Sequence, residues 1–177
     1  MSNKININNT LKPFNKTLEI EGDKSLSIRW ALIASQANGK SISKNLLMSD
    51  DVINTLNCLK KLGVKIILNK KKCEILGKGL NGFNLKKKII LNAGNSGTLA
   101  RLLPGLLVHT NKEIIIKGDK SLSKRDFYRI SKPLEKFGAK FKTNSGKLPI
   151  SIKGTDNPLP ITYNETKGSA QCKSAVM

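Results

Sequence analysis

The sequence is poor in the residues that most often carry metal, redox or membrane chemistry. It has one histidine, His109, one tryptophan, Trp30, and three cysteines, Cys58, Cys73 and Cys172, and only 5% of it is aromatic. An odd cysteine count without CxxC spacing argues against a disulfide framework and a zinc site, so three reduced thiols and no metal are expected. No apolar run approaches the roughly 20 residues of a membrane span, and the polar, Asn-rich start has no signal-peptide core. A cytoplasmic protein without a membrane partner is the expectation. Acidic residues are scarce too: 12 Asp and Glu stand against 32 Lys and Arg, a formal charge of +20. Such a balance favours polyanions as partners. Arginine is the rarest of the basic residues, with 4 Arg to 28 Lys. The lysines scatter through turns such as Lys70-Lys71-Lys72 and Lys86-Lys87-Lys88, which reads as compositional bias and disfavours nucleic acid as the partner. Arg29, Arg101, Arg125 and Arg129 fall instead in or beside the repeated and glycine-rich stretches of the chain. A planar guanidinium donates two parallel hydrogen bonds to phosphate or carboxylate, so their placement in a lysine-dominated chain is informative.

What the chain does have is an internal repeat. GDKSLSIR at residues 22–29 returns as GDKSLSKR at 118–125, and LKKLGVKI at 59–66 returns as LEKFGAKF at 134–141. Repeats of this kind mark a supersecondary unit used more than once. Residues 1–16 read as a segment whose partner lies elsewhere. A first unit, 17–86, is expected to open with a strand at 17–21, followed by a helix with Leu26, Trp30, Ile33, Ala34 and Ala37 inward. A strand at 40–47 leads to a second helix, opened by Ser49-Asp50-Asp51, with Val52, Leu56, Leu59 and Leu62 inward and Gly63 as its C-cap glycine. Strands at 64–68 and 73–76 close the unit. The second unit, 87–157, repeats the order: a strand at 89–92, a leucine-faced helix interrupted by Pro104, a strand at 113–117, and a helix with Phe127, Ile130, Leu134 and Phe137 inward, then strands at 139–143 and 149–153. A third unit, 158–177, opens with a strand at 161–163 and reaches the start of a helix, as a truncated unit would. The fold class is α/β, built from β-α-β-α-β-β units, two complete and the start of a third.

Aligning the units puts three polar loops at one structural place, the start of each unit's first helix: Lys24-Ser25, Asn95-Ser96-Gly97-Thr98, and Ser169-Ala170-Gln171. Helix starts present unpaired N–H groups and the positive end of the helix dipole, and small or hydroxyl residues let an anion approach. Three converging starts make a phosphate or carboxylate site. Lys24 adds a point charge, Arg29 lies about one turn beyond Ser25, and Arg125 opens the second helix of unit two within reach of the same cleft. Each element alone is an ordinary cap or glycine loop, and Asp50-Asp51 read as a cap; the combination carries the inference.

These stretches, with NAGNSGTLARLL at 92–103 and PITYNETKGSAQCKSAV at 160–176, resemble the N-terminal part of the 5-enolpyruvylshikimate-3-phosphate synthase family from about Glu19 onward. The resemblance implies the enolpyruvyl transferase fold, an inside-out α/β architecture, and transfer of an enolpyruvyl group from phosphoenolpyruvate to the 5-hydroxyl of shikimate 3-phosphate in chorismate and aromatic amino-acid biosynthesis, with phosphate released and no cofactor. By position it assigns Lys24, Ser25, Arg29, Ser169, Ala170 and Gln171 to shikimate 3-phosphate, and Lys24, Asn95, Gly97, Arg125 and Gln171 to phosphoenolpyruvate. Lys24 and Arg125 would act electrostatically, and the acid/base carboxylates would come from a second domain absent here, against which residues 1–16 would pack. The chain alone is then an inactive fragment. Asp23 stands where the family usually has Ser, and Trp30 where it has a small or hydroxyl residue. Gly97 keeps the small residue that lets glyphosate fit. Two other readings share the charge pattern: a stand-alone basic module for polyanions, and one half of a split enzyme whose partner is the missing domain.

Overall fold

Asp23 caps the first helix by accepting the Leu26 N–H through Oδ1 at 2.7 Å, which satisfies one donor that a helix start leaves open. Helix α1 runs behind it from Lys24–Gln36, followed by β1 (Asn38–Ser43), α2 (Asp50–Lys61), β2 (Lys65–Asn69) and β3 (Lys72–Lys78). The second half gives β4 (Ile89–Asn92), α3 (Gly97–Leu106), β5 (Glu113–Lys117), a 3-10 turn (Leu122–Lys124), α4 (Tyr128–Glu135), β6 (Lys140–Asn144) and β7 (Lys147–Lys153), and α5 (Ala170–Val176) ends the chain. The computed structural model describes residues 6, 8, 10, 12, 13, 15–83, 85, 88–166 and 168–177. Much of the expected 1–16 segment therefore lies outside the described residues, as do Lys86, Lys87 and Lys167.

The fold is α/β, with two sheets. One has the order β1-β3-β2, both pairs antiparallel; the other has the order β4-β5-β7-β6, with β4 parallel to β5 and the remaining pairs antiparallel. Period-two patterning sets the faces: Cys73 and Ile75 of β3 point to the core, as do Ile114 and Ile116 of β5 and Leu148, Ile150 and Ile152 of β7. The helices cover those faces, and one contiguous core joins both halves through Ile28, Leu56, Leu59, Leu91, Leu99, Leu103 and Phe127, each at most 2% exposed. On α2 the inward residues are the expected Val52, Leu56 and Leu59, with Leu62 just beyond, and Gly63 ends the helix at φ +86°, a region open to glycine without steric cost. Helix α3 runs through Pro104 and ends two residues later.

Four expectations are corrected. Residues 17–21 form no strand: they carry no regular structure and leave Leu18 and Ile20 exposed, with the Asn45 amide on the Ile20 carbonyl and a Lys71–Glu21 ion pair. Residues 161–163 form no strand either, because neither segment finds a ladder partner among the described residues, and a strand without one leaves its polar backbone to water. Helix α1 is turned relative to expectation. Its buried face is Ser27, Ile28, Ala31, Leu32, Ala34 and Ser35, while Leu26 and Ile33 are exposed and Trp30 and Ala37 half-buried. The helix carries two apolar stripes, and burial against α2, α3 and β3 chose the one with small residues that allow close approach. Finally, the second GDKSLS copy does not enter a long helix. Asp119 caps Leu122 at 2.7 Å just as Asp23 caps Leu26, but the turn tightens into the 3-10 segment, and Arg125 lies beyond it in extended backbone, not at the start of α4.

Helices α3 and α5 cross so closely that a Cβ built on Gly105 would stand 2.2 Å from the Ala175 carbonyl oxygen. Gly105→Ala is therefore expected to destabilise the chain by about 1–3 kcal/mol despite alanine's better helix propensity, read as a lower urea midpoint. Burial also pushes the Cys58 and Cys73 thiols up to about 11. The folded state binds those protons more tightly than the unfolded chain does, so their contribution is whole below the ordinary thiol range and is lost as pH rises toward about 11. Denaturant midpoints above pH 9 are expected to fall more steeply in the native chain than in a Cys58→Ala, Cys73→Ala variant.

Candidate functional site

The starts of α1, α3 and α5 open onto one cleft of about 520 Å³, lined by Lys24, Ser25, Asp51, Asn95, Gly97, Thr98, Arg101, Arg125 and Gln171. Lys24 and Ser25 are the first two residues of α1, Gly97 and Thr98 the first two of α3, and Gln171 the second of α5. Each start is capped from just outside the cleft: Asp23 on Leu26, Ser96 on Leu99 at 3.2 Å, and Ser169 on Cys172 at 3.3 Å. The caps consume N–H groups on the inner side of each turn, and the side chains after them face the opening. The Asp23 carboxylate is engaged as such a cap, which answers how an acidic residue sits beside an anion cleft.

Six of the nine residues expected from sequence line this cleft: Lys24, Ser25, Asn95, Gly97, Arg125 and Gln171. The other three stand beside it. Arg29 lies down the α1 face and donates Nη1 to Ser174 Oγ at 2.5 Å, Ser169 serves as the α5 cap, and the Ala170 carbonyl accepts from Ser174 Oγ at 2.8 Å. Arg29 thus ties unit one to α5. Three lining residues stand outside the residue-by-residue assignment, although Thr98 belongs to the expected polar loop 95–98 and Arg101 to the arginines singled out from sequence. Asp51, read with Asp50 as a helix-start carboxylate that suits the dipole, does stand in the first turn of α2, and its Oδ2 also pairs with Lys24 Nζ at 3.2 Å. Arg101 donates Nη1 to Gln171 Oε1 at 3.1 Å, and Thr98 Oγ1 accepts from Gln171 Nε2 at 3.3 Å. The rarity of arginine was the signal that singled out Arg101; nothing in the sequence distinguished Asp51 from the carboxylates that favour any helix start.

The electrostatics are one-sided. Arg101 and Arg125 both reach over Gly97, where an added Cβ would lie 2.9 Å from Nη1 of each. Arg125 also reaches Asn95 Oδ1 at 3.4 Å. Burial lowers the Arg101 pKa, and the nearby Arg129 and Arg125 charges lower it further; the guanidinium lies 5.3 Å over the Phe127 ring. Among the described residues Asp51 is the only carboxylate in the lining. Among the described residues no cluster of His, Cys, Asp and Glu could hold a metal ion, and His109 lies exposed beyond α3. Lys24, two guanidiniums, two side-chain amides and two helix-start hydroxyls form a receptor for compact anions, in which phosphate and carboxylate groups would meet donors from three sides.

Fold and site together define an α/β protein that gathers three helix starts around one positively charged cleft. A sequence model of EPSP synthase (3-phosphoshikimate 1-carboxyvinyltransferase) matches residues 9–177, and the chain belongs to that family. It is 44% identical over 161 residues to the 3-phosphoshikimate 1-carboxyvinyltransferase of Vesicomyosocius okutanii, covering 90% of this chain and 37% of that protein. It is 38% identical to that of Syntrophomonas wolfei, covering 97% of this chain and 40% of the relative. A solved EPSP synthase from Acinetobacter baumannii superposes with a TM-score of 0.84 at 36% identity, over 90% of this chain and 36% of that one. The chain thus spans well under half the length of the relatives it matches. No helix among the described residues is long and apolar enough to cross a membrane.

Lys24 cannot serve an anion fully while it is engaged by Asp51. Asp51→Asn removes the one negative charge in the lining, so inorganic phosphate is expected to bind roughly threefold to tenfold more tightly at low salt, by isothermal titration calorimetry. Weaker binding would mean that the carboxylate instead holds the ammonium where the anion needs it.

Proposed function

We propose that this chain supplies the N-terminal half-site of a 3-phosphoshikimate 1-carboxyvinyltransferase. Such an enzyme moves the enolpyruvyl group of phosphoenolpyruvate to the 5-hydroxyl of shikimate 3-phosphate, in the cytoplasm, and releases phosphate. The observation that carries the reading is the convergence of the α1, α3 and α5 starts on a single cleft that holds Lys24, Arg125 and Gln171 together. Both substrates are polyanions, and the cleft offers donors and positive charge with one carboxylate.

In this reading Lys24 and Ser25 contact shikimate 3-phosphate, and Arg29, Ser169 and Ala170 complete that side along α1 and the α5 start. Asn95, Gly97 and Arg125 take phosphoenolpyruvate, and Lys24 and Gln171 face both. The chemistry asked of these residues is positioning and electrostatic stabilisation. As the vinyl carbon is attacked and phosphate departs, negative charge builds on oxygens already surrounded by fixed donors, which need no reorganisation at that moment. The units 17–86, 87–157 and 158–177 each contribute one helix start to the site. Glyphosate, an anion of similar size, is expected to enter the same lining once the site is complete, since a side chain at Gly97 would crowd both guanidiniums.

A built site and a diffuse basic surface separate cleanly. The chain is expected to bind shikimate 3-phosphate at least tenfold more tightly than inorganic phosphate, and Arg29→Ala is expected to abolish that preference. Duplex DNA binding with steep salt dependence, indifferent to Arg29→Ala, would assign the +20 charge to a polyanion-binding surface instead.

A further inference from the structure

The cleft contains one group whose usefulness depends on which way round it sits. Gln171 ends in an amide that offers lone pairs at Oε1 and two N–H donors at Nε2, and a half-turn about its last bond exchanges them. An anion is welcomed by one orientation and repelled by the other. Two neighbours touch this amide: Arg101 Nη1 at 3.1 Å from Oε1, and Thr98 Oγ1 at 3.3 Å from Nε2. The Thr98 hydroxyl both donates and accepts, so it is satisfied by either orientation and selects neither. A guanidinium only donates. It accepts Oε1 as a partner and confronts Nε2 with donor against donor.

We propose that Arg101 is a positioning residue of the cleft: it sets the orientation of the Gln171 amide so that Nε2, with one N–H left over after Thr98, faces the anion. Three further features suit Arg101 to this task. Its guanidinium lies 5.3 Å over the buried Phe127 ring, which limits the planes it can adopt. Its Nε is buried with no hydrogen-bond partner among the described residues, and its hydrogen bond to Gln171 is made at the tip. It springs from the second turn of α3 while Gln171 belongs to α5, so the contact also fixes the relative placement of two elements that each bring a start to the cleft. Gly97 keeps the path open, since a Cβ there would press on Arg101 Nη1 at 2.9 Å.

The inference rests on the anion-site reading for its consequence but not for its test. In the full chain, labelled with 15N and without ligand, the Gln171 side-chain amide is expected to show one orientation, with proton contacts from Nε2 to Thr98. Arg101→Met, which keeps reach and removes donors and charge, is expected to give both orientations; Arg101→Lys, a donor-only replacement, restores one; and Thr98→Val keeps one. Phosphoenolpyruvate binding is expected to weaken about tenfold in Arg101→Met and to recover in large part in Arg101→Lys. Combining Arg101→Met with Gln171→Met should weaken it much less than the product of the two single losses. A single amide orientation in Arg101→Met, two orientations in Thr98→Val, or fully additive losses would each overturn the proposal. If Arg101→Met does not fold, the Thr98→Val result decides. Should the unaltered chain bind no phosphoenolpyruvate while the amide keeps one orientation that Arg101→Met abolishes, the functional reading fails and the positioning role stands.

Discussion

A helix start leaves N–H groups that nothing within the helix can satisfy, and this protein brings three such starts to one place. That arrangement constrains the rest of the chain. Each start has to be capped enough to be stable, which Asp23, Ser96 and Ser169 accomplish, yet the side chains after the cap must stay available. Two of the helices also approach closely, and they do so at small residues: a Cβ on Gly105 of α3 would press on the Ala175 carbonyl of α5. Bulkier residues there would spread the starts apart and dissolve the cleft. The leucines and isoleucines of α2, β3, β5 and β7 form the wall against which this bundle is held.

The repeated GDKSLS phrase shows how far local sequence determines structure and where it stops. Both copies begin alike: the Asp side chain accepts from the residue three on, and the Ser27 and Ser123 N–H groups reach the carbonyls of Asp23 and Asp119 at 3.0 and 2.9 Å. They part after that first turn because the next residues differ. In the first copy Ile28, Ala31 and Leu32 continue an apolar face, and the helix extends along it. In the second, Lys124, Arg125 and Asp126 offer no such face before Phe127, so the turn tightens and ends. The leucines have opposite fates, Leu26 67% exposed and Leu122 fully buried. Arg29 and Arg125, at the same repeat position, consequently do different things: one braces α5 through Ser174, the other leans over Gly97.

The same divergence separates what the sequence could reveal from what it could not. Helix α2, strands β4 and β5 and the closing hairpins were legible because their periodicity was unambiguous and their ends were marked by Ser, Gly and lysine turns. The inward face of α1 was not, since two apolar stripes share that helix and only packing decides between them. Segments 17–21 and 161–163 have strand composition but find no partner among the described residues, and composition does not record partners. At the site, residues adjacent to a helix start were found by aligning the repeats. Asp51 was missed because its role depends on the distance to Lys24 across two helices, a relation that no local pattern contains.

The distribution of charge obeys the same constraint. The cleft is lined by Lys24, Arg101 and Arg125, and the pKa of Arg101 is lowered chiefly by its burial and then by the neighbouring Arg129 and Arg125 charges. Lysines elsewhere stand in water or pair along strands, as Lys40 and Lys72 do with Glu74, whose carboxyl is held below its usual range by them. At the cleft the cations are kept together, by Phe127 beneath one guanidinium and by the absence of a side chain at Gly97 beneath both. Such an arrangement is retained in a folded protein when something outside it supplies the missing negative charge. In the proposed half-site an anion bound there would relieve repulsion between Arg101 and Arg125 as well as adding its own hydrogen bonds, which would favour ligands that bring more than one negative charge.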